Sequence, residues 1–151
     1  MFESCHSPRD VAHVYRSMGF KVSSSFQRVA LIASRSIGAV AMPASMGIQV
    51  RQVVSQSDAI TTLPIISYQR AHREWVFVVG PPRGNETRAA AGAELGAAGI
   101  RILESGERVW LPMTDRPMGW YWVSPPVSAR ILPSRATVIA AAQQLLSLEF
   151  S

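Results

Sequence analysis

The apolar positions of the chain change period several times, and each change marks an element. Ser7-Pro8-Arg9-Asp10 opens a helix with a serine N-cap, a proline at the first helical position and an acid three residues past the cap. Val11, Val14, Tyr15 and Met18 follow on one face, and Gly19 supplies the stop. Residues 20–25 then predict a short strand. Residues 28–33 and 37–42 predict two more, joined around Ser34-Arg35-Ser36. Between Pro43 and Ser55 the spacing of Met46, Val50, Val53 and Val54 is helical again, weakened by Gly47. A hairpin follows, 63–68 with 75–79, turning through 69–73. Asn85 caps a helix through residue 98, with Ala91, Leu95 and Ala98 on a narrow apolar face and Gly99 as its end. Residues 100–103 and 108–111 predict a second hairpin across Ser105-Gly106, and 120–123 a further strand. Pro133-Ser134 opens the last helix, carried by Val138, Ala141, Leu145 and Leu148. This order predicts one α+β domain over residues 1–151, with helices packed against a mainly antiparallel sheet. Residues 1–6 read as a tip prone to fray.

Three strands in the second half share an ending. Trp75-Val76-Phe77-Val78-Val79 runs into Gly80-Pro81-Pro82, Val109-Trp110-Leu111 into Pro112, and Trp120-Tyr121-Trp122-Val123 into Ser124-Pro125-Pro126. Proline lacks the N–H that a ladder needs, so each run is bounded as a strand.

Composition narrows the class. The chain has 151 residues, 48% of them hydrophobic, enough for one core. Residues 29–46 form the longest apolar stretch, but Arg35 interrupts it, so neither a membrane span nor a signal peptide is expected. The single cysteine, Cys5, excludes a disulfide framework and suits a cytoplasmic protein. Of 15 basic residues only Lys21 is a lysine. No acid lies between Asp10 and Asp58, whereas Arg16, Lys21, Arg28, Arg35 and Arg51 all do. A positive face built from these five would attract phosphates or acidic partners. The plainer reading is a solvated surface in an arginine-rich protein.

Catalytic patterns are sparse. Asp10, Asp58 and Asp115 are widely separated and form no Asp-x-Asp pair, while Glu104 and Glu107 flank a turn. Cys5, His6 and His13 lack the second ligand pair of a structural zinc site, so no metal or cofactor is expected. No Gly-x-Ser-x-Gly elbow exposes a serine, and His72 lies in a turn. Arg83, Gly84, Asn85 and Arg88 form a candidate anion-binding loop between strand and helix, although the segment is not a Walker A loop and Glu86 opposes an anion. Trp75, Trp110, Trp120 and Trp122 admit two readings: a base-stacking platform, or a core or protein interface, with Trp120 and Trp122 on one strand face.

The segments 42–50, 75–81, 99–102, 109–112 and 122–126 together resemble a group of small actinobacterial proteins similar to the N-terminal domain of bifunctional DNA primase/polymerases. The resemblance spans roughly residues 40–145 and rests on apolar, glycine and proline positions. It implies an α+β, RNA-recognition-like core in which metal-binding acids and a nucleotide-contacting histidine do the catalysis. This chain lacks the Asp-x-Asp pair, so no catalytic residue carries over. The expectation is a non-catalytic binding domain of primase/polymerase-like outline that contacts nucleic acid through the five basic residues. The alternative is a protein-interaction or assembly module, an adaptor or a homo-oligomer, using the Trp120–Trp122 strand or the alanine-rich and C-terminal helices as its surface. No membrane role is expected.

Overall fold

A computed structural model describes residues 1–57, 62–68, 72–81, 95–103 and 105–149. Helix α1 spans Pro8–Ser17 and is fixed at both ends. The Asp10 amide donates to the Ser7 hydroxyl at 3.2 Å, and the His6 amide donates to the Asp10 carboxylate at 2.9 Å. That His6 amide is the main reason the Asp10 carboxyl sits below its usual range, with the Ser7 hydroxyl adding to it. At the other end Gly19 takes φ +97°, and the amides of Gly19 and Phe20 donate to the carbonyls of Arg16 and Tyr15. This paired closure needs a left-handed residue, which glycine supplies without a Cβ clash.

Strands β1 (Val22–Ser25), β2 (Arg28–Ile32) and β7 (Arg108–Leu111) form a three-stranded sheet in the order β1-β2-β7. Strands β3 (Gly38–Pro43), β4 (Ile65–Tyr68), β5 (Glu74–Val79), β6 (Arg101–Leu103) and β8 (Tyr121–Ser124) form a second sheet, ordered β6-β3-β5-β4-β8. Every pairing is antiparallel. Helices α2 (Ala44–Ser57) and α3 (Arg135–Glu149) also lie among the described residues. Residues 95–97 are helical and end on Gly99, whose φ is +84°.

The five-stranded sheet is apolar on both faces, because its strands alternate between two cores rather than between core and water. Ala39, Ala41, Ile66, Val76 and Val78 pack toward α1 and the three-stranded sheet. Val40, Met42, Ile65, Phe77 and Val79 pack toward α2 and α3, meeting Val50, Val54, Val138 and Ala142. Phe2 joins the first core edge-on to Tyr15, with centroids 5.6 Å apart, and its amide donates to the Asp115 carboxylate at 2.8 Å.

The expected second hairpin is corrected. β6 pairs with β3 and β7 with β2, so residues 101–111 do not fold back on themselves. Instead β2–β3 and β6–β7 are two sides of one antiparallel ribbon that bends from one sheet into the other. The Ala33 amide donates to the Glu107 carbonyl, and the Gly106 amide donates to the Ala33 carbonyl, both at 2.9 Å. These bonds carry the pairing through the bend. Ser105-Gly106 is therefore a corner, and Gly106 at φ +92° makes the turn of direction.

Candidate nucleic-acid interface

Register divides the side chains of the three-stranded sheet cleanly. Val22 faces Leu31, Val29 faces Leu111 and Leu31 faces Val109, and all five lie in the core. The intervening positions therefore share the outer face. There Ser23 pairs with Ala30 and Ala30 with Trp110, Ser25 pairs with Arg28, and Ile32 pairs with Arg108. Lys21, the residue before β1, continues the Ile32–Arg108 row. Arg28, Arg108 and Lys21 are exposed, and no strand of this sheet contains a carboxylate.

Trp110 stands on this face from β7, an edge strand of the sheet. The Arg28 guanidinium lies 5.6 Å from its ring centroid, a cation–π distance. Ala30, directly across the ladder from Trp110, is 1% exposed although it belongs to neither core. The result is a half-buried aromatic platform with a cation over it and two more along one edge.

A clasp of aromatic side chains holds this platform to the rest of the molecule. Along the edge of β7 away from β2, the carbonyl of Trp110 accepts from the Tyr68 hydroxyl and from the Trp120 indole, the latter at 3.0 Å. Two residues on, the Pro112 carbonyl accepts from the Tyr15 hydroxyl, which in turn accepts from the Trp122 indole at 2.9 Å. Carbonyls two residues apart point to the same edge of a strand. Side chains from α1, from β4 and from Trp120, the residue before β8, thus do there what a further strand would otherwise do. Burial pushes the Tyr15 phenol well above its ordinary pKa, with the Trp122 bond acting the other way, so Tyr15 is a fixed neutral donor.

The chain matches no family model, no curated protein and no solved structure.

The five sequence-selected cations do not all share one surface. Lys21 and Arg28 lie on the outer face just described. Arg16 belongs to α1, which packs on the core side of this sheet, and donates to the Val22 carbonyl at 3.0 Å; Arg35 is exposed in the corner after β2. Arg51 is elsewhere: it sits on α2, across the five-stranded sheet, in an open depression of about 500 Å³ with Gln52, Gln56 and Trp75. Arg108 was missed by the sequence reading because only the pairing of β7 with β2 brings it to the same row as Lys21. Arg83, Gly84, Asn85 and Arg88 lie outside the described residues.

Trp120 and Trp122 are half-buried, with both indole N–H groups engaged within the chain. His6 and His13 are exposed, and among the described residues no group of three His, Cys, Asp or Glu side chains is placed to hold a metal ion. Burial, then Asp10 and Asp115, raises the Cys5 thiol above its ordinary pKa, which disfavours the reactive thiolate. Among the described residues no helix is long and apolar enough to cross a membrane.

Proposed function

We propose that this chain is a non-catalytic, cytoplasmic nucleic-acid-binding domain, primase/polymerase-like in outline, that seats its ligand on the outer face of β1, β2 and β7. The observation that carries this reading is the Arg28 guanidinium over the Trp110 ring at 5.6 Å, on a face whose charged side chains are all basic. Cations engage phosphates without regard to sequence, and an indole offers a stacking surface to any base. The two requirements of sequence-tolerant binding therefore coincide on one sheet face.

Fluorescence anisotropy with a labelled oligothymidylate of about 15 nucleotides tests it. Affinity is expected to fall steeply as salt rises, and the combined Lys21→Ala, Arg28→Ala, Arg108→Ala variant to lose most of it. A folded triple variant that binds as tightly as the parent chain overturns the reading.

A second reading, a protein-interaction or assembly module, draws on exposed apolar side chains on either side of β8: Met118, Val127 and Ile131. It requires a mass that rises with concentration in light scattering, or a captured partner whose binding is lost on Val127→Asp.

A further inference from the structure

The hairpin joining β1 to β2 turns on Phe26 and Gln27, and both residues have positive φ, 51° and 60°. Two positive φ values in a two-residue loop make the turn that matches strand twist, and Asn-Gly is the pair that occupies it at least cost. A phenylalanine in the left-handed region is a steric outlier. Its ring gains nothing in exchange within the chain, since Phe26 is 93% exposed. Both choices oppose folding, and such local conflicts concentrate at functional positions.

The turn leads directly into Arg28, whose guanidinium lies over Trp110. Exposed ring, cation and half-buried ring therefore follow one another from the hairpin tip across the outer face. We infer that Phe26 is a base-stacking finger for single-stranded nucleic acid, using the same face as Trp110. This rests on the function proposed above and narrows its ligand to unpaired bases. A ring held out in water can stack on a base only where that base shows its flat face, which a duplex conceals. The charge on this face favours that occupant over an apolar protein pocket: Arg28 adjoins the turn, and Lys21 and Arg108, at the opposite end of the face, suit a phosphate backbone that continues across it. A membrane surface is a poorer match: the tip presents one ring, flanked by Ser25 and Gln27, rather than an apolar stripe.

The test compares the full chain with Phe26→Ala and with the paired variant Phe26→Asn, Gln27→Gly. The probes are a labelled oligothymidylate and a blunt duplex of similar length. Both variants are expected to bind the oligothymidylate about tenfold more weakly, the loss of one stacked base. Their salt dependence is expected to stay as in the parent chain, because no cation is removed. The duplex is expected to bind more weakly than the single strand and to be indifferent to either variant. If the parent chain binds oligothymidylate and both variants bind it equally well, the finger is wrong while the outer-face reading stands. If the parent chain binds neither probe, both are overturned, and binding to phosphatidylserine vesicles alone would do the same.

Discussion

The Trp122 indole donates to the Tyr15 hydroxyl at 2.9 Å, and that hydroxyl donates onward to the Pro112 carbonyl. One buried oxygen thereby ties β8, α1 and the end of β7 together. Proline at position 112 brings no N–H to this edge, so that residue presents only its carbonyl, and a hydroxyl such as that of Tyr15 is suited to satisfy it. Removing the Tyr15 oxygen leaves the Trp122 N–H and the Pro112 carbonyl without that partner. Tyr15→Phe is expected to lower stability by about 2–3 kcal/mol in urea unfolding, since buried polar groups left unmade are costly. Retention of full stability would show that the clasp is not structural.

Alkaline unfolding follows from the same residue. Burial raises the Tyr15 phenol above its unfolded value of 10.0. The stabilisation it provides is complete below that value and is lost as pH rises above it, because the unfolded chain ionises first. Between the unfolded and folded values the loss runs at about 1.4 kcal/mol per pH unit. Tyr15→Phe is expected to be less stable near neutrality but to decline less steeply above pH 10.0. Parallel curves for the two proteins would refute the assignment.

Most elements were legible in the sequence, because caps, glycine stops and proline endings are local signals. Ser7, Gly19 and Gly99 each act as their residue types predict. The misreading of Ser105-Gly106 has a physical cause. A hairpin turn and a ribbon corner both call for glycine at positive φ between two short strands, and only long-range pairing separates them. The candidate surface was less legible for the same reason. Lys21, Arg28, Trp110 and Arg108 come from the residue before β1, from β2 and from β7, and a gap in acidic residues along the chain could select Lys21 and Arg28 but could not exclude Arg51. Phe26 gave no signal in sequence, where an isolated phenylalanine beside serines has no special period.

Gly47 looked like a defect in α2, and helix propensity alone says that alanine there would gain about 1 kcal/mol. The packing says the opposite. A Cβ at Gly47 would come within 2.9 Å of the Trp75 Cβ, an atom anchored to the backbone of β5. That contact cannot relax by a rotamer change, so α2 or β5 must shift. Gly47→Ala is expected to destabilise by about 1–3 kcal/mol, as overpacking does. A rise in melting temperature would mean that α2 approaches the sheet less closely.

Arg108 and Arg51 provide a matched comparison of charge on opposite sides of the molecule. Arg108→Ala is expected to weaken oligothymidylate binding and to reduce the slope of log affinity against log salt by about 0.7, the yield of one phosphate contact on a single strand. Arg51→Ala removes the same charge from α2 and is expected to leave the slope unchanged within error. Equal effects from the two would indicate attraction by net charge, without a defined face.

The Phe26–Gln27 turn separates stability from binding. Asn and Gly accept positive φ readily, so the paired variant Phe26→Asn, Gln27→Gly relieves strain at both positions while leaving the core untouched. It is expected to be more stable than the parent chain by about 1 kcal/mol, near the lower end for residues held in this region. Phe26→Ala keeps a side chain in the left-handed region and is expected to change stability little. Thermal unfolding of the three proteins gives the ordering directly. A loss of stability in the Asn-Gly variant would place Phe26 in a packing role and remove the strain argument for its exposure.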